Sequence, residues 1–180
     1  YDLDFETSSS VSQEDYIEMI RLKTAVLVGC ALKMGAIIGK ASPHEQEAIY
    51  DFGIQLGLAF QLQDDYLDTF GDEKTFGKKI GGDILENKKT ILYHLALKGG
   101  EETHINALQT LLGGDYPIDG VEKINKVKSL FEVTAAISAT QDLNAYHADL
   151  ADQALEKLSM GEDQKNRFRE LKGWLMQRTY

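Results

Sequence analysis

Apolar residues recur at three- and four-residue intervals along almost the whole chain, and no stretch of useful length alternates as a strand would. Residues 6–12 read as a loop, after which Ser12 and Asp15 form a capping-box-like start, Asp standing in for Glu or Gln. Ile17, Ile20, Val26 to Val28, Ala31, Met34 and Ile38 then keep helical spacing to about Lys40, with Gly29, Gly35 and Gly39 permitting close packing. Ser42-Pro43-His44-Glu45 is a stronger start, with serine at the cap, proline at the first position and glutamate three after the cap. It predicts a helix to about Phe70. Gly53 and Gly57 inside it cost about 1 kcal/mol each against alanine, so small residues there make room for a neighbouring helix or a substrate tail.

Beyond the loop that follows, Lys88 to Lys98 reads as a short helix ended by Gly99-Gly100, and Glu101 to Leu112 as another ended by Gly113-Gly114. Asp115 to Ile118 is a turn. Val121, Ile124, Val127, Leu130, Val133 and Ile137 open a long element that breaks near Thr134 and runs on to Met160-Gly161. A last helix from Asp163 places Phe168, Leu171, Trp174 and Leu175 on one side. The class is therefore all-α, a helical bundle.

Composition narrows this little. The 180 residues, 43% of them apolar, suit one domain. A single cysteine, Cys30, excludes an internal disulfide framework, fits a reducing, cytoplasmic setting, and reads as a buried small apolar residue. The net charge of −10 argues against nucleic acid and anionic membrane surfaces as partners. No signal peptide is visible, and no apolar run is long enough for stable membrane insertion. The four histidines show no metal spacing.

Charge is unevenly placed, and there the chemistry begins. Asp64, Asp65 and Asp68 end an otherwise apolar helix. At about 100° per residue, Asp64 and Asp68 lie about 40° apart and Asp65 about 60° from Asp68. Gln61 precedes them on that face, and Asp72 extends it if the helix lasts. Close carboxylates repel, and the helix C-terminus disfavours negative charge. A divalent cation accounts for them, since Mg²⁺ takes oxygen ligands from one or two carboxylates, waters and substrate phosphates. A solvated acidic face is the plain alternative. Lys74, Lys78, Lys79, Lys88 and Lys89 crowd the following stretch, with Gly77, Gly81 and Gly82 among them. Acids beside lysines suggest a polyphosphate held through metal on one side and ammonium groups on the other. Lys23-Thr24 lies mid-helix among apolar neighbours, where pattern alone reads the lysine as one that snorkels.

Together Phe60-Gln61, Asp64-Asp65-Tyr66-Leu67-Asp68, Phe70-Gly71-Asp72, the run Gly77 to Ile84 and Asn87-Lys88 spell FQxxDDxxD, FGD, GKxxGxDI and NK, in order over nearly thirty residues. This compound pattern resembles the second aspartate-rich region of trans-isoprenyl diphosphate synthases, which include farnesyl and geranylgeranyl diphosphate synthases. The resemblance implies Mg²⁺-dependent condensation of an allylic diphosphate with isopentenyl diphosphate, releasing pyrophosphate. It implies Asp64, Asp65, Asp68 and Asp83 as the metal-binding acids, with Asp64 the direct ligand and Asp83 supporting a metal-bound water or a nearby lysine. Lys23 and Thr24 match the family's KT pair. Lys23, Thr24 and Gln61 are implied at the catalytic site, with Lys23, Gln61, Lys78 and Lys88 toward the diphosphates. Asp2 matches the aspartate of the family's GQxxD, so residues 1–180 are expected to be the C-terminal portion of one all-α synthase domain, inactive alone and a homodimer at full length. The alternatives are a noncatalytic regulatory subunit of a heteromeric synthase and a Mg²⁺-dependent all-α pyrophosphohydrolase.

Overall fold

Side chains within a few residues fix three helix starts. In the computed structural model, which describes residues 11–72, 80–114 and 116–176, the Ser12 amide and hydroxyl both donate to Asp15 Oδ2, at 3.1 and 2.8 Å. The Asp15 amide answers to Ser12 Oγ at 3.1 Å. Ser42 does the same with Glu45, at 3.0 and 2.7 Å, and the Asp119 carboxylate accepts from the Val121 and Glu122 amides at 2.9 and 3.2 Å. Such caps satisfy the unpaired N–H groups of a first helical turn. Asp2, Gly77, the loop lysines Lys74, Lys78 and Lys79, and Asp115 lie outside the described residues.

The elements are α1 (Gln13–Ile20), a π-helical turn (Arg21–Ala25), α2 (Val26–Ile38), α3 (Pro43–Phe70), α4 (Gly82–Leu85), α5 (Ile91–Gly99), α6 (Glu102–Leu112), α7 (Gly120–Val133), α8 (Ala136–Glu156) and α9 (Glu162–Met176). No strand occurs among the described residues, and the all-α class stands. The break near Thr134 is real: Thr134 Oγ1 donates back to the Leu130 carbonyl at 2.7 Å, and Ala135 takes a φ of 56° before α8 begins.

Several expectations need correction. The helix expected from Ser12 to Lys40 is interrupted by the π turn, α5 starts at Ile91 rather than Lys88, and α8 ends at Glu156. The helical turn α4 was not foreseen; the Asp83 amide in its first turn is met by a side chain fifteen residues away, which no local pattern reveals. α3 ends at Phe70, so Asp72 does not extend the acidic face. Cys30 is exposed, as are Leu27, Met34 and Ile38 on α2 and Leu171 and Trp174 on α9. Gly35 has open space around it and makes no close packing.

The chain divides into two compact units. One takes in residues 11–16 and Asp64–Asp142. Its core joins Leu92, Tyr93 and Ala96 of α5, Leu108, Leu111 and Leu112 of α6, and Val127 and Phe131 of α7, with Ile84 of α4. The other comprises Ile17–Gln63 and residues 143–176. There Ala48, Ile49, Phe52 and Leu56 of α3 pack with Ala151, Ala154 and Leu155 of α8 and with Leu158, flanked by Phe168 and Leu175 of α9. In this second unit a Cβ on Gly53 would lie 2.6 Å from Gly29 Cα, so α3 and α2 meet backbone to backbone.

Candidate active site

The last two turns of α3 carry the three aspartates, and the structure treats them differently. Asp64 and Asp68 are half-buried, whereas Asp65 is 3% exposed and shares its face with buried Leu62 and Thr69. A buried carboxylate must find donors. The Tyr16 hydroxyl donates to Asp65 Oδ2, and the Ile91 amide, first in α5, donates to the same oxygen at 3.4 Å. Tyr16 is itself 5% exposed, its ring 5.5 Å from that of His94. Burial, then the neighbouring Asp65 charge, pushes the Tyr16 phenol well above its usual value.

Asp68 organises the next segment. Its Oδ2 accepts from the Asp83 amide at 2.9 Å, and its carbonyl from the Gly81 amide at 2.6 Å. An α3 carboxylate thus satisfies an N–H in the first turn of α4. Gly81 holds a φ of 84°, which favours glycine, and a Cβ there would displace the end of the Ile124 side chain, 2.7 Å away. Desolvation raises the Asp68 carboxyl above its ordinary value, and the Asp83 and Asp64 charges add to this.

Lys88 completes this acid–base cluster. Its Nζ lies 2.8 Å from Asp83 Oδ1 and 2.7 Å from Glu86 Oε2. Partial burial works against the ammonium, but hydrogen bonds to Asp83 and Glu86 outweigh it and the pKa lies above that of an ordinary lysine. Asn87 sits in the left-handed region at φ 58°, where buried Lys123 of α7 donates to its Oδ1.

In the other unit, Lys23 and Thr24 ride on the π turn, where the Val26 amide reaches the Arg21 carbonyl. Such turns inside α-helices recur at functional sites. Lys23 is exposed; Thr24 is half-buried and its hydroxyl donates to Gln61 Oε1 at 3.1 Å. The approach of α3 here is close, since a Cβ on Gly57 would lie 2.5 Å from Ala25 Cα.

The structure therefore brings together Asp64, Asp68, Asp83 and Lys88, and separately Thr24 and Gln61. Asp65 does not share the outer face with Asp64 and Asp68, and Lys78 lies outside the described residues. Among the described residues no group of three or more His, Cys, Asp or Glu side chains forms a ready metal cage. Mg²⁺ does not need one: it keeps waters and uses one or two carboxylates with substrate phosphates. Half-buried oxygens of Asp64 and Asp68, with the Asp68 carboxyl raised first by burial and then by its acidic neighbours, fit that donor set. The sequence reading missed Tyr16 and Lys123. Tyr16 had a signal, since it stands four residues before Ile20 on the apolar side of α1, and a buried Tyr hydroxyl seeks a partner. Lys123 had none.

Comparison with known proteins identifies the family and the fold. A family described as Polyprenyl synthetase matches residues 1–133. The short chain isoprenyl diphosphate synthase of Methanothermobacter thermautotrophicus is 40% identical over 162 residues, covering 90% of this chain and 48% of the relative. The crystal structure of a geranylgeranyl pyrophosphate synthase superposes with a TM-score of 0.91 at 44% identity, covering 99% of this chain and 55% of that one. The polyprenyl synthase of Caulobacter crescentus, crystallised with calcium and isoprenyl diphosphate, gives a TM-score of 0.88 at 31% identity over 99% of this chain and 53% of that one. The chain spans about half the length of the curated relatives it matches.

Proposed function

The chain belongs to the polyprenyl synthetase family, and on that premise we propose that it supplies the second aspartate-rich wall of an Mg²⁺-dependent prenyltransferase. The reaction joins an allylic diphosphate to isopentenyl diphosphate and releases pyrophosphate. The observation that carries this reading is the cluster of Asp64, Asp68 and Asp83 oxygens beside the Lys88 ammonium, at the end of an apolar helix.

When bound, Mg²⁺ would supply positive charge to the departing pyrophosphate. Asp64 would be its direct ligand, with Asp68 and Asp83 completing the acidic wall. Lys88, held charged by its acidic neighbours, would add positive charge to the diphosphates, and Lys23 is assigned to them by resemblance. Lys78 is assigned there by resemblance alone. By resemblance the Thr24–Gln61 pair, joined through the Thr24 hydroxyl, would present fixed dipoles to the allylic carbon as its bond to oxygen breaks. The isopentenyl double bond attacks the allylic cation, and a proton is lost to the pyrophosphate released.

The test uses the full-length protein. Asp64→Ala or Lys23→Ala lowers condensation by about 100-fold or more, about 2.7 kcal/mol in the barrier, with helical circular dichroism retained. Pyrophosphate appears only when both substrates are present. Release from one substrate alone would establish hydrolysis instead, and no release by this protein alone, with release only once an active synthase partner is added, would establish the regulatory subunit.

A further inference from the structure

We propose that Asp65 is a positioning residue rather than a metal ligand: with Tyr16 it forms a buried latch that sets the direction of the neighbouring Asp64 carboxylate. This rests on the metal reading of Asp64 given above.

Three observations meet at Asp65. It lies on the face of α3 that carries Leu62 and Thr69, about 100° around the helix from Asp64. Its Oδ2 accepts from two donors on two other elements, the Tyr16 hydroxyl on α1 and the Ile91 amide at the start of α5. Tyr16 is in turn enclosed, with the His94 ring of α5 against it. A carboxylate so engaged ties α1, α3 and α5 together at one oxygen. Rotation or fraying of the final turns of α3 would break both bonds at a buried carboxylate, which is costly. The helix phase is thereby fixed at the residue adjacent to Asp64, and a supporting hydrogen bond of this kind commonly sets ligand geometry.

A ligand and a latch respond differently to replacement by asparagine. The amide oxygen of Asn can still accept from Tyr16 and Ile91, whereas it lacks the charge a metal ligand supplies. In the full-length protein, Mn²⁺ binding in the presence of inorganic pyrophosphate is followed by electron paramagnetic resonance, a readout independent of turnover. Asp64→Asn is expected to weaken Mn²⁺ binding by about tenfold or more, and Asp65→Asn by no more than about threefold. Tyr16→Phe is expected to lower kcat about tenfold, with KM for isopentenyl diphosphate unchanged, and the Tyr16→Phe, Asp65→Ala double variant to be no worse than the poorer single one. The Asn and Phe variants carry the test where Asp65→Ala fails to fold. Equal loss of Mn²⁺ binding in Asp65→Asn and Asp64→Asn would make Asp65 a ligand and overturn the proposal, as would unchanged kcat in Tyr16→Phe. Intact Mn²⁺ binding in Asp64→Asn would instead remove the metal reading itself, and the latch with it.

Discussion

Gly57 and Ala25 stand so close that a methyl group on Gly57 would lie 2.5 Å from the Ala25 Cα. The contact holds α3 directly against the π turn that carries Lys23 and Thr24. Gly57→Ala must push backbone against backbone, so it is expected to destabilise the protein by about 1–3 kcal/mol. Gly35, also helical but surrounded by open space, behaves oppositely. Gly35→Ala is expected to stabilise by about 0.5–1 kcal/mol through lost backbone freedom in the unfolded chain. Urea melts of the two variants check both signs.

Thr24 and Gln61 form a pair across two elements, and the hydroxyl is what joins them. Thr24→Val keeps the shape and removes the donor, which should cost about 0.5–1.5 kcal/mol of stability. Thr24→Ser keeps the donor and should restore most of the loss. If the pair also faces the reacting end of the substrate, kcat falls in Thr24→Val by more than the stability change alone accounts for. Steady-state kinetics beside thermal melts separate the two effects.

Asn87 holds a positive φ and receives the buried Lys123 ammonium, so two substitutions there should differ in a defined way. Asn87→Gly loses the amide but tolerates the backbone; Asn87→Ala loses both. The difference between them should be about 1–2 kcal/mol in favour of glycine. Both variants should also disturb the adjacent Lys88, visible as a higher KM for the diphosphate substrate it is proposed to bind.

Burial lowers the pKa values of His94 and His147 below the ordinary 6.5. Below 6.5 the unfolded chain therefore binds protons that the folded chain refuses, so stability rises with pH there and is lost on acidification. Asp68 is shifted the other way, upward from 3.8, and stability from that group is lost as pH rises through its folded value, a window opening well below the histidine one. The melting temperature should thus decline as pH falls through 6.5 and below. His147→Gln, which removes one of the two groups, should flatten the decline, and a series of thermal melts measures it.

Local chemistry made much of the architecture legible. The Ser12–Asp15 and Ser42–Glu45 caps act within three residues, and both starts appear where the sequence places them. The long α3 and the break at Thr134 follow from apolar spacing in the same way. The acidic cluster was visible as composition, and Asp64, Asp65 and Asp68 do crowd the end of α3. Orientation was not visible. A helical wheel sets Asp65 about 60° from Asp68 and about 100° from Asp64 without saying which side is buried; the structure buries it where Tyr16, 49 residues away, supplies a donor. The exposure of Cys30 and Trp174 was equally hidden, since apolar character does not say whether a partner covers a given face.

The chain's order of residues settled where helices begin and end and which stretch carries the charge, because those outcomes depend on forces acting across one or two turns. Tertiary packing settled which aspartate is buried, that Asp68 receives the Asp83 amide, and that α3 meets the π turn carrying Thr24. These depend on donors, carboxylates and backbone surfaces brought together from distant positions, and the energy of each exists only once the partner element has docked.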